Sequence, residues 1–75
     1  MEPEVAFGLV LRQLRKQREL SQEELAHKAD LERNYISLLE LGRNSASVKT
    51  IFKLAQALDI AVAEFMAQVE AKHLE

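Results

Sequence analysis

The stretch from Leu20 to Arg43, LSQEELAHKADLERNYISLLELGR, constrains this chain more than any other part of it. Ser21 is followed three residues later by Glu24, which is the capping-box pattern of a helix start. Apolar residues then recur at helical spacing from Gln22 to Ala29. The stretch therefore opens with one short amphipathic helix.

A second short helix is predicted from Arg33 to Leu41, with Ile36 and Leu39 facing inward. Gly42 follows, at the place where a helix end favours a residue free to take a positive φ. The segment Asp30–Glu32 interrupts the helical pattern between the two. Two short helices with a three- or four-residue connection have the geometry of a helix-turn-helix.

The outer face of the second short helix carries candidate base-reading residues. If Ile36 is buried, the i, i+4 pairs Arg33/Ser37 and Asn34/Leu38 lie on the opposite side. Arginine matches the acceptors of guanine and asparagine matches adenine, while an exposed leucine suits a thymine methyl group. These side chains are therefore interpreted as a reading surface; the alternative is an ordinary solvated helix face.

Three further helices complete an all-α, five-helix architecture. The first is predicted from Pro3 to Arg18, where proline suits the first helical turn. Ser47 is the expected N-cap of a helix from Val48 to Leu58, with Val48 on its inward stripe. The last helix is predicted from Val62 to Lys72.

The length and composition bound the fold and exclude several functions. Seventy-five residues form a single domain, 1–75, and a domain of this size buries only about 60% of its unfolded surface. There is no cysteine, and His27 and His73 have no partner at ligand spacing, so no metal site is expected. With no phosphate-cradling glycine loop and no nucleophile–base pair, we expect neither an enzyme nor a cofactor.

The charge balance is unusual for a nucleic-acid binder. The net charge is −2, whereas phosphate contacts normally accompany a basic surface. The charges are unevenly distributed: residues 31–50 hold three basic and two acidic residues, and residues 51–75 hold two basic and four acidic ones. The helix-turn-helix end is thus relatively basic, which predicts DNA binding with weak non-specific affinity.

The segments RQLRKQRELSQEELA, YISLLELGR and SVKTIFKLAQAL resemble, in order and spacing, the Cro/C1-type helix-turn-helix family of phage repressors and bacterial regulators. The segment DLERNYIS is most similar to the controller proteins of restriction–modification systems. The resemblance spans roughly residues 6–66. It implies a lambda-repressor-like fold and a transcriptional regulator that binds double-stranded DNA as a homodimer on a pseudo-palindromic operator.

The resemblance also assigns individual positions. It places a DNA-contacting glutamine at Gln22 and an ion pair between Arg15 and Glu40. Where the family usually has glycine this chain has Glu19, so a left-handed turn there should be slightly strained. By their position around the motif, the residues expected at the DNA backbone are Ser21, Gln22, Tyr35, Arg43, Asn44, Ser45 and Lys49.

A homodimer interface is predicted on the last two helices. Phe52 falls off the inward stripe of its helix, and Val62, Met66 and Val69 form an i, i+4, i+7 line. The alternative is that these residues complete a small core. Two other functions also stay open: an antitoxin-like regulator, and a helical protein-interaction domain that uses this apolar surface. No small-molecule effector is evident.

No segment approaches the ~18 consecutive apolar residues of a membrane span. The opening residues MEPEVAFG are acidic and lack the apolar run of a signal peptide. A cytoplasmic protein is therefore expected, without a membrane partner.

Overall fold

The computed structural model describes residues 1–75 and contains five α-helices and no strand. The helices are α1 (Pro3–Gln17), α2 (Gln22–Ala29), α3 (Arg33–Glu40), α4 (Val48–Ala57) and α5 (Val62–His73). The predicted all-α, five-helix architecture is confirmed, and every predicted helix end lies within one residue of the observed one. None of the helices combines the length and apolar character needed to cross a membrane.

The helix starts follow the local sequence. Ser21 and Glu24 form the complete capping box of α2, and the Ser47 hydroxyl accepts a hydrogen bond from the Thr50 N–H at the start of α4. By contrast, α5 begins after Ala61, which offers no side-chain cap. Of the four connections between helices, those that lead into α2 and α4 end in side-chain caps, while α3 and α5 begin without one.

Three non-glycine residues adopt the left-handed conformation where helices end. Glu19, at φ 56°, fulfils the expectation of a strained turn. Asp30 and Asp59, at φ 55° and 54°, do the same after α2 and α4. Aspartate tolerates this region better than most residues because its short side chain forms local hydrogen bonds. Gly42, at φ 72°, ends α3 without that cost.

The core is one cluster of fifteen buried apolar residues drawn from all five helices. Phe7 of α1 and Phe65 of α5 stack with ring centroids 5.1 Å apart, and this pair joins the two ends of the chain. The largest side chains that are fully buried are Phe65, Leu11, Leu14, Leu25, Ile36, Leu39, Leu54, Leu58 and Val10. α1 lies across α3 and α5, so it braces the helix-turn-helix from behind.

A glycine allows α1 to approach α3 closely. A Cβ at Gly8 would lie 2.7 Å from the Glu40 carbonyl oxygen and would also meet the Leu39 carbonyl oxygen. Both of these atoms are backbone atoms, which cannot rotate away. Sequence reasoning gave this residue no role, because a mid-helix glycine by itself does not indicate which neighbour it faces.

Two apolar residues lie differently from their predicted places. Val48 was expected on the inward stripe of α4 but is 71% exposed, because the first turn of α4 turns Thr50 toward the core instead. Val69 was expected at a dimer interface but is 5% exposed, because it packs into the core of its own chain. The first prediction is wrong, and Val69 has little surface left to offer a partner.

Candidate nucleic-acid interface

The turn between α2 and α3 is tight and internally bonded. The Leu31 N–H donates to the Ala26 carbonyl at 2.9 Å, which closes the connection across the left-handed Asp30. Ala26 is 4% exposed, and Leu31 packs against the core from the turn. A small residue at Ala26 lets α3 pack closely against α2, so the relative orientation of the two helices is fixed.

The outward face of α3 carries the residues that the sequence analysis proposed as base readers. Ile36 and Leu39 are fully buried, and this fixes the rotation of the helix about its axis. Arg33 and Asn34 are exposed in its first turn, and neither side chain hydrogen-bonds to its own chain. The polar groups at the head of α3 are therefore free to bind an external partner.

The other two predicted readers lie on the same side of α3. Leu38 is 39% exposed, while Ser37 is half-buried. Leu41, at the C-cap of α3, is 60% exposed, and sequence reasoning did not assign it to this face. Its position four residues after Ser37 is the signal that would have identified it.

The ion pair expected between Arg15 and Glu40 is present and joins α1 to α3. Arg15 Nε donates to Glu40 Oε2 at 2.6 Å, and Nη2 donates to Oε1 at 3.0 Å. The side chains are 11% and 4% exposed. The hydrogen bond that Arg15 donates to Glu40 raises the pKa of the Arg15 guanidinium, although burial partly opposes it. The Arg15 guanidinium is thus held in its charged form.

Gln22 and Ser21 lie at the N-terminus of α2, where a DNA-backbone contact is predicted. Gln22 Nε2 donates to Glu40 Oε1 at 3.1 Å, so this side chain joins the ion pair. Ser21 Oγ accepts from the Glu24 N–H at 3.0 Å, which leaves its hydroxyl hydrogen free. In return, the Ser21 N–H donates to Glu24 and lowers the pKa of that carboxyl.

Tyr35 anchors the loop that follows α3. Its hydroxyl donates to the Ser45 carbonyl at 3.3 Å and lies 3.4 Å from Thr50 Oγ1. Within the loop, Asn44 Oδ1 accepts from the Ser45 N–H at 2.9 Å. Ser47 Oγ lies 3.0 Å from Thr50 Oγ1 and completes the connection. The loop expected to touch the DNA backbone is therefore tied to both α3 and α4.

The charges on this side of the molecule favour an anionic partner. Arg33, Arg43 and Lys49 are exposed and form no ion pair within the chain. Of the two acidic residues between positions 31 and 50, Glu40 is neutralised by Arg15, and only Glu32 is exposed. Over residues 31–50 the exposed charges are therefore three positive and one negative.

The predicted dimer surface is partly open. Phe52 is 58% exposed, and Val62 and Met66 are half-buried where they pack against the core. Val48, which sequence reasoning placed inside, is one helical turn from Phe52 and adds to the exposed apolar area of α4. Val48 and Phe52 together give α4 an exposed apolar strip, and contiguous exposed apolar surface is typical of an interaction site.

One further hydrogen bond holds the fold together rather than forming part of the interface. Arg18 Nε donates to the Leu58 carbonyl at 2.6 Å, so a residue left unassigned by the sequence ties the end of α1 to the end of α4. No group of three His, Cys, Asp or Glu side chains is arranged to hold a metal ion.

The sequence and fold are similar to those of known regulators. The family described as Helix-turn-helix matches residues 11–65. Control protein C.MunI from Mycoplasma sp is 36% identical over 67 residues, which cover 88% of this chain and 90% of that protein.

Two solved structures superpose closely. The restriction-modification controller protein C.AhdI from Aeromonas hydrophila gives a TM-score of 0.80 at 45% identity, over 83% of this chain and 94% of that one. The clp gene regulator ClgR from Corynebacterium glutamicum gives a TM-score of 0.90 at 27% identity, over 99% of this chain and 80% of that one.

Proposed function

This chain belongs to the helix-turn-helix family, and we propose that it is a transcriptional regulator that binds a specific site in double-stranded DNA as a homodimer. One observation supports this function above the others: Arg33 and Asn34 head α3 with no hydrogen bond inside the chain. The buried Ile36 fixes their outward direction. This arrangement suits a recognition helix that enters the major groove with its N-terminal residues against the bases.

In this proposal the polar residues divide into two groups. Arg33, Asn34, Ser37 and Leu38 contact base edges. The contacts with the sugar–phosphate backbone come from Ser21, Gln22, Arg43, Asn44, Ser45 and Lys49, which lie on both sides of α3 along the chain. Tyr35 acts mainly by holding the loop that carries Asn44 and Ser45. Backbone contacts set the register, and base contacts select the sequence.

Dimerisation would use the exposed apolar surface of α4 and α5. Phe52, Val62 and Met66 supply this surface, and Val48 enlarges it. A two-fold axis through the interface places two recognition helices about 34 Å apart, which matches half-sites one helical turn apart on the same face of the duplex. The operator should therefore be pseudo-palindromic.

The regulated genes are proposed from the relatives. C.MunI is a control protein and C.AhdI a restriction-modification controller protein, and they match 88% and 83% of this chain. We propose that this protein likewise controls restriction–modification genes. A gene for a restriction endonuclease or its methyltransferase beside the coding sequence would support this assignment, and genes of unrelated function there would contradict it.

Selection from random-sequence duplex DNA at two salt concentrations tests the binding function. A two-fold symmetric site should be enriched. Arg33→Ala should lose about 1–3 kcal/mol at one base position, whereas Arg43→Ala should weaken all sequences alike and reduce the salt slope by about 1. Arg12→Ala removes the same charge from the exposed side of α1 and serves as the control. If no sequence is enriched at either salt concentration, the protein is an interaction domain instead.

A further inference from the structure

We propose that Glu40 positions Gln22 for binding to a backbone phosphate, so that the buried ion pair is part of the DNA-binding apparatus. This inference rests on the proposed function, because it concerns the same surface. The observation that carries it is the hydrogen bond from Gln22 Nε2 to Glu40 Oε1, at 3.1 Å, between the first residue of α2 and the last residue of α3.

Glu40 is held firmly enough to orient another side chain. Its carboxylate accepts two hydrogen bonds from Arg15, and it is 4% exposed. Arg15 is fixed in turn, because its Nη1 donates to the Leu20 carbonyl at 2.8 Å, immediately before the start of α2. The acceptor that Gln22 meets is therefore a fixed point of the scaffold.

The hydrogen bond leaves the useful part of the Gln22 amide free. A glutamine amide has two N–H donors and an acceptor oxygen, and Glu40 engages only one donor. Gln22 is half-buried, and its side chain makes no other hydrogen bond within the chain. The second N–H is then available to a phosphate oxygen, with much of the rotamer freedom of a flexible side chain already lost before binding.

The surroundings suit an anion at this point. The backbone N–H groups of Gln22 and Glu23 begin α2 and have no acceptor within the helix. Such groups, together with the positive end of the helix dipole, favour a phosphate. Without a partner, the Glu40 carboxylate would repel a phosphate bound beside Gln22. Arg15 removes that repulsion by neutralising Glu40. The ion pair thus supplies a strong acceptor without a free negative charge.

The first test compares Gln22→Met with Gln13→Met on the enriched operator. Methionine keeps the length of the side chain but has no amide, and Gln13 is exposed on α1 away from this network. Gln22→Met should weaken operator binding about five-fold per subunit, equally for all sequences, with little change in urea stability. Gln13→Met should leave affinity unchanged.

A second test asks whether the effect of Gln22→Met depends on Glu40, which distinguishes a positioned Gln22 side chain from one that merely touches the phosphate. In a background without the ion pair, Arg15→Met with Glu40→Leu, Gln22→Met should cost about two-fold or less, because no acceptor remains to preposition the amide. If this double-replacement background does not fold, nuclear magnetic resonance of the wild-type Gln22 side-chain amide replaces it. The Gln22 amide should be as rigid without DNA as with it, and it should shift on operator binding, while that of Gln13 stays mobile.

The outcomes separate this inference from the proposed function. If Arg33→Ala loses its base preference while Gln22→Met and Gln13→Met bind like the wild type, the inference is wrong and the regulator stands. A Gln22 amide that is mobile until DNA binds would also overturn it. If no operator is enriched, both proposals fail together.

Discussion

Arg15 and Glu40 are 25 residues apart in sequence, yet the guanidinium of one meets both carboxylate oxygens of the other. This two-point contact fixes both the distance and the rotation between α1 and α3. α3 carries the candidate reading residues, so an ion pair on its inner side determines where its outer side points.

Removing one partner of this ion pair should destabilise the fold strongly. Arg15→Ala or Glu40→Ala leaves a charge without its partner in a largely buried place, and the free energy of unfolding should fall by about 3 kcal/mol. The double replacement Arg15→Met with Glu40→Leu should recover most of this loss, because no unpaired charge remains. Urea denaturation measures all three; a double variant as unstable as the singles would contradict the explanation.

Gly8→Ala should be destabilising, although alanine is intrinsically the better helix former. The added Cβ would meet the Leu39 and Glu40 carbonyl oxygens and push α3 away from α1. We expect a loss of about 2 kcal/mol in urea denaturation. Gln17→Ala, on the exposed part of α1, should change stability by less than about 0.5 kcal/mol. A neutral or stabilising Gly8→Ala would show that the two helices separate easily.

Glu24 should make the stability depend on acid pH. The Ser21 hydrogen bonds hold the pKa of Glu24 below its ordinary value of 4.5 in the folded state. A lowered folded-state pKa stabilises the fold above the unfolded pKa, and this contribution is lost as the pH falls through the folded value. Glu24→Gln should therefore be less stable than the wild type at pH 7, and the difference should shrink below about pH 4.5.

The matched control is Glu23→Gln, which removes the same charge from the same turn of α2 but no hydrogen bond of the capping box. Its difference from the wild type should vary less with pH. Equal pH profiles for the two variants, measured by urea denaturation, would rule out the capping box as the cause.

Ala61→Ser should stabilise the protein, because α5 now begins without a side-chain cap. A serine there can accept a hydrogen bond from the first-turn N–H of Glu64, as Ser47 does for Thr50. We expect a gain of about 1 kcal/mol in thermal or urea unfolding. Ala63→Ser, two residues later within the helix, should give no gain.

Phe52→Glu should disrupt the proposed dimer without unfolding the subunit. The side chain is 58% exposed in the single chain, so its replacement disturbs little of the core. Light scattering at tens of micromolar should report a dimer for the wild type and a monomer for the variant. Leu9→Glu, on the exposed side of α1, should stay dimeric. A monomeric wild type would contradict the dimer outright.

Local patterns were sufficient for the secondary structure. The capping box at Ser21, the N-cap at Ser47 and the helical spacing of apolar residues placed every helix end to within one residue. The prediction that Val48 faces inward was wrong because this residue lies at the edge of the apolar stripe, where helical spacing alone is ambiguous. The packing of α4 turns it outward.

The candidate reading surface could also be predicted from the sequence. Ile36 and Leu39 define the buried side of α3, and the opposite side follows from the helical period. The Arg15–Glu40 pair came only from resemblance to a family, because no local rule links two residues so far apart.

The sequence by itself determined the five helices and which side of α3 faces outward, because both depend on spacing within a few residues. Tertiary structure decided the features that depend on contacts between distant segments. Three such features are the approach of α1 to α3 at Gly8, the burial of Val69, and the hydrogen bond that links Gln22 to Glu40. Such contacts arise from the way whole helices pack, so no short stretch of sequence contains them.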